Sequence, residues 1–103
     1  MKYQDSMIDA CLACIAACEN CATHCIRMAE SLHLRCITLC RDCSDICTLC
    51  IKTALRDSQY KEEIMKLCAA ICRACAAECD KFEEEHCKEC ARICTACADA
   101  CAA

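Results

Sequence analysis

Four runs of cysteine, each stepping by three or four residues, constrain this chain more than any other feature. They are Cys11, Cys14, Cys18, Cys21 and Cys25; Cys36, Cys40, Cys43, Cys47 and Cys50; Cys68, Cys72, Cys75 and Cys79; and Cys87, Cys90, Cys94, Cys97 and Cys101. Steps of three and four keep side chains on one face of an α-helix, turn above turn. The nineteen cysteines are therefore expected to form four sulfur stripes. Where four such stripes meet, the interior is made of sulfur rather than leucine and valine.

The rest of the composition agrees with helix. Glycine and proline are both absent, so tight sheet turns have no residues to use, while Ala, Leu, Glu, Lys and Arg favour helix throughout. Tyr3, Tyr60 and Phe82 are the only aromatic rings, which removes the usual large contributors to core burial. No linker-like stretch divides the 103 residues, so one domain over 1–103 is expected.

The helix boundaries follow from capping signals. A first helix is predicted from about Ser6 to Ala29, with Asp5 or Ser6 as its cap and Arg27 near its negative end. Ser31 is expected to cap a second that runs to about Arg56. Asp57 and Ser58 form a turn and cap a third, with Glu62 and Glu63 near its positive end. Asp80 and Glu83 have capping-box spacing for the fourth. Connections this short require antiparallel neighbours, so the fold class is all-α: an up-down-up-down four-helix bundle with a cysteine-lined core. The halves Met1 to Arg56 and Asp57 to Ala103 repeat one cysteine-striped hairpin. A second, aliphatic stripe, Ile8, Leu12, Ile15 and Ile26 on the first helix and Leu39, Ile46 and Leu49 on the second, reads as lateral core packing, with contact to another copy as the alternative.

Charge narrows the partners. The net charge is −4 and the basic residues are scattered among acidic ones, which argues against nucleic acid. Met1 to Met7 has neither the basic nor the apolar region of an export signal, and no uninterrupted apolar stretch approaches spanning length, so no membrane partner and a cytoplasmic location are expected. In a reducing cytosol many cysteines point to metal or redox chemistry before disulfides. A disulfide between consecutive turns of one helix would close a loop of three or four residues and restrain little.

The ladders hold seven Cys-x-x-Cys and eight Cys-x-x-x-Cys pairs, all placed inside helices, unlike zinc knuckles and redox motifs at turns or helix starts. Residues four apart on a helix have Cβ atoms ~5–6 Å apart, and a linear ion would hold its sulfurs roughly 4.5 Å apart, taking Zn–S as a proxy. One thiolate pair can therefore grip one ion. Charge selects the ion. Cu(I) displacing one proton per thiol leaves the core neutral, whereas zinc on four thiolates leaves −2, and burying that costs several kcal/mol per ion. No basic residue lies in register with the ladders to offset it. Soft thiolates also prefer Cu(I), while iron–sulfur clusters need compact four-thiolate sites. The plain alternative, cysteine as a small buried hydrophobe, would suit one or two per helix better than nineteen in strict register. Multiple Cu(I) ions are the expected cargo.

At one end of such a bundle fall His24, Met28, His33 and His86. Met28 and His33 continue the cysteine register, three residues beyond Cys25 and three before Cys36, whereas His24 and His86 lie on the flank. These four join the nineteen cysteines as candidate metal ligands, and their end is the expected entrance. Met7 and Met65 lie in register at the other end.

The in-helix pairs Cys14 and Cys18, Cys21 and Cys25, Cys36 and Cys40, Cys43 and Cys47, Cys75 and Cys79, and Cys90 and Cys94, with histidines at one bundle end, resemble the bacterial copper storage proteins in their cytosolic branch. The likeness covers essentially the whole chain. It implies a four-helix bundle, usually a homotetramer, that stores many Cu(I) ions and catalyses nothing, with a copper chaperone as an expected source of the ions. The third ladder departs by having four cysteines, with Met65 and Phe82 at the register positions beyond them. The competing functions are a metallothionein-like zinc or cadmium buffer and a thiol redox or structural module.

Overall fold

A computed structural model describes residues 6–102. The order is α1 (Ser6–Met28), a 3₁₀ turn (Ser31–His33), α2 (Leu34–Leu55), α3 (Lys61–Cys79) and α4 (Glu85–Ala102). Each helix packs on its neighbours in sequence, and α4 closes the ring against α1. The bundle measures 43 × 20 × 20 Å. Its length follows from α1, whose 23 residues rise ~1.5 Å each. The expected up-down-up-down topology is the observed one.

The helix ends show what a chain without glycine must do. Ala29 and Asp57 take the left-handed conformation, φ 54° and 51°, where glycine is the usual residue. After α2 this makes a Schellman motif: Asp57 N–H donates to the Ala54 carbonyl and Ser58 N–H to that of Thr53 at 2.9 Å. The Lys61 ammonium pairs with Asp57 and holds the turn from outside. Asp57 and Ser58 form the expected turn, with the Ser58 hydroxyl oxygen accepting the Tyr60 N–H at 3.1 Å, but they do not cap α3, whose N-cap is Tyr60 without a side-chain capping bond.

Two further predicted caps are corrected, and one falls outside the described residues. Ser31 opens the 3₁₀ turn, and His33 occupies the N-cap of α2 without a side-chain capping bond. Asp80 ends α3 and accepts the Lys88 ammonium at its carbonyl and carboxylate, 2.8 and 3.3 Å. With Asp80 so engaged there is no capping box, and α4 starts later, where the Glu84 carbonyl accepts the Cys87 and Lys88 N–H groups, both at 3.0 Å. Asp5, the alternative cap for α1, is among the residues not described.

The core is built of cysteine and alanine. All nineteen cysteines are buried. Ala17 and Ala22 on α1, Ala69 and Ala76 on α3, and Ala91 and Ala98 on α4 are buried beside them, and such small side chains let helix axes approach closely. Ile8 and Ile46 of the aliphatic stripe are buried, and Ile15 and Leu39 pack partly against the core. Leu12, Ile26 and Leu49 do not follow the lateral-packing expectation: they are 54%, 52% and 38% exposed. The cysteine stripe claims the inward face, and a helix in a square bundle has only one such face.

α1 holds no uninterrupted apolar stretch of spanning length, being broken at Glu19 and Asn20. It is still long and apolar enough to cross a membrane by length and composition, with a mean hydropathy of 1.2. Part of that apolarity belongs to cysteine and alanine side chains turned into the bundle, and part to Leu12 and Ile26 on the exposed side.

Candidate metal centre

The ladders bring their sulfurs together along the bundle axis. An unbroken path of contacts, none longer than 3.9 Å, runs from Met7 through Cys11, Cys97, Cys47, Cys72, Cys43, Cys14, Cys94, Cys18, Cys90, Cys40 and Cys79 to Cys36. It crosses between helices at most steps, as antiparallel neighbours with inward stripes must. Cys21, Cys25 and Cys87 form a further triangle with edges of 3.8 to 4.0 Å at the histidine end.

The packing is dense enough that sulfurs such as those of Cys11, Cys14, Cys18 and Cys47 belong to two groups at once. Cys14, Cys43, Cys47 and Cys72 have sulfurs all within 4.8 Å of one another, as do Cys18, Cys40, Cys75 and Cys90, and Cys11, Cys50, Cys68 and Cys101. Three sulfurs around an ion at ~2.3 Å stand about 4.0 Å apart, and two across a linear ion about 4.6 Å. Both spacings fit, so two- and three-coordinate ions need little movement of the walls.

A tetrahedral divalent ion would fit these distances too, so charge has to discriminate. The buried polar residues among those described are His33, Ser44, Thr53 and Glu78, with no lysine or arginine. Glu78 is itself matched from outside by Arg35 at 3.3 Å and Lys81 at 2.9 Å. Four thiolates on zinc would leave −2 in a core that offers no cation, whereas one Cu(I) per thiolate leaves none. Burial acts on the empty thiols in the same sense. It pushes the Cys25 and Cys87 thiols up from their ordinary range, helped by the charges of neighbouring thiols. At these two positions the thiol form is favoured, and an ion that binds there displaces a proton.

The histidine end differs in detail from its sequence pattern. The flanking residue His86, not the in-register His33, touches a cysteine: its Nε2 is 3.5 Å from Cys25 Sγ. His24 stacks on His86 with centroids 5.1 Å apart. His33 is buried, donates from Nε2 to the Glu84 carboxylate at 3.1 Å, and stacks on Phe82 at 4.3 Å. That bond holds the Glu84 carboxyl below its usual range. His33 Nδ1 has no hydrogen-bond partner and lies 4.0 Å from the Glu30 carboxylate. Met28 ends α1 half-buried. A cavity of about 360 Å³ lined by Cys25, Ile26, Ala29, Glu30, Ser31, Leu34 and Ile37 reaches the last cysteine of α1 from outside.

Sequence reasoning missed Glu84, and it placed Met7 in register without counting it among the ligands. Glu84 lies in a connection, where helical periodicity says nothing about contacts. Met7 was in register, and its signal was the thioether four residues before Cys11.

The whole chain, residues 1–103, matches the family described as copper storage protein. A Bacillus subtilis (strain 168) protein described as uncharacterized cysteine-rich protein YhjQ is 44% identical over 81 residues, covering 78% of this chain and 75% of that one. The Cu(I)-bound copper storage protein BsCsp3 superposes with a TM-score of 0.91 at 43% identity, over 98% of this chain and 96% of that one. A cytosolic copper storage protein from Streptomyces lividans, with five coppers, gives 0.85 at 33% identity, over 94% and 87%.

Proposed function

The chain belongs to the copper storage protein family, and from that premise we propose that it is a cytoplasmic store that holds many Cu(I) ions on its buried thiolates, protects the cell from free copper, and catalyses no reaction. The observation that carries this reading is the continuous sulfur path, lined by buried cysteines and free of buried cations among the described residues. A redox module would instead have a few accessible, low-pKa thiols. Here all the thiols are buried.

All nineteen cysteines are assigned as ligands, with His24, Met28, His33 and His86 serving entry. Contact of His86 with Cys25 supports that role. The chain acts as one domain over 1–103. Exposed Leu12, Leu49 and Leu67 support assembly with other copies, as a homotetramer by family likeness, through an apolar surface a monomer would leave wet. The apolar mouth at Ile26 and Leu34 suits a docking copper chaperone as the delivering partner.

Anaerobic titration with Cu(I) against a competing chelator, while counting released protons, tests the storage reading. Saturation at a number comparable with the nineteen cysteines, with about one proton released per ion, is the expected result. Saturation at one to four ions, or zinc outcompeting Cu(I), would overturn it.

A further inference from the structure

The end of the bundle away from the histidines carries sulfur of a second kind. Met7, in the first turn of α1, is buried, and its Sδ lies 3.7 Å from Cys11 Sγ and 3.7 Å from Cys50 Sγ. Cys11 and Cys50 in turn belong to a group whose sulfurs are all within 4.8 Å of one another. Two edges of the Met7, Cys11, Cys50 triangle are thus close to the ~4.0 Å that three sulfurs take around one soft ion, and the third is no longer than 4.8 Å.

The thioether brings a chemistry the other positions lack. It is a soft donor with no proton to lose and no charge to neutralise. An ion completed by Met7 gains a third sulfur without adding negative charge at the end of the tube. This end of the core also reaches solvent. Cys101, in contact with Cys11 at 3.8 Å, is 4% exposed where the other cysteines are 0%. A cavity of about 210 Å³ lined by Glu62, Met65, Lys66, Cys101 and Ala102 opens there.

We propose that Met7 Sδ, Cys11 Sγ and Cys50 Sγ form a thioether-completed Cu(I) position at this end of the bundle, and that the ion there exchanges with solvent past Met65 and Cys101. This rests on the storage reading for the identity of the ion. The thioether holds Cu(I) less tightly than a third thiolate would, so this ion leaves before those deeper in the core.

The test uses the full chain carrying ¹³C-methyl methionine, filled anaerobically with Cu(I), with Met7→Leu to assign the Met7 resonance. Leucine matches methionine in volume, so the apo fold and its melting are expected to be unchanged. The Met7 methyl resonance should shift on filling, and Met7→Leu should saturate one ion lower. Met7→Cys should restore the number with one further proton released. A Met7 resonance unmoved in the filled protein, or Met7→Leu filling to the wild-type number, overturns the assignment. A wild-type chain that takes up only a few ions sinks the storage reading, and the Met7 resonance still decides the position in that event.

Discussion

His86 Nε2 lies 3.5 Å from Cys25 Sγ, so the imidazole at the start of α4 touches the last sulfur of α1. A ligand so placed can pass an ion to the first thiolate of the core without letting it dissociate. His86→Ala is expected to slow filling about tenfold, the effect of ~1.4 kcal/mol on a barrier, while leaving the final number of ions nearly unchanged. Stopped-flow transfer from a Cu(I) chelate measures the rate. Equal rates would remove His86 from the entry path.

Cys94 on α4 joins Cys14 and Cys18 at 3.6 Å each, in the middle of the sulfur path. Cys94→Ala should lower capacity by about one ion, with one proton fewer released, because its neighbours keep other sulfurs within reach. A collapse of capacity to half, read by the same titration, would mean that the two ends fill through a single relay.

The raised thiols make the empty bundle sensitive to alkali. A group whose folded pKa lies above its unfolded value stabilises the fold below the unfolded value, near pH 8.5 for a thiol, and that stability is lost as pH rises towards the folded value. Each of Cys25 and Cys87 therefore costs about 1.4 kcal/mol per pH unit across that interval. Thermal melts of the reduced apo protein should fall from about pH 8.5 upward. Copper-loaded protein should melt higher, since each ion at a hundredfold excess over its dissociation constant adds ~2.7 kcal/mol, and its melting should vary little with pH.

Ala29 sits at φ 54°, where its Cβ is crowded and glycine is not. Ala29→Gly is expected to stabilise the apo bundle by about 1 kcal/mol, a rise of ~4–8 °C in melting temperature. An unchanged or lower Tm would show that the loop relaxes without cost.

The sequence made the helices and their inward faces legible because cysteine steps of three and four leave one periodicity to read. The rest was hidden for specific reasons. Asp80 had the spacing of a cap, but Lys88 reaches it from the next helix, an interaction between segments that spacing cannot report. His33 and His86 looked ordered by register, yet Glu84 and Phe82 hold the first while the second swings onto Cys25. Leu12 and Ile26 resembled core residues because hydrophobicity alone does not say which of two adjacent stripes wins the interior.

The buried alanines of α1, α3 and α4 set how near the helices stand, and they do so without reference to the cargo. A vessel whose staves are joined by methyl groups keeps the same bore whether drained or brimming. Copper can then come and go by small rotations of thiol side chains, with no need for the walls to swell.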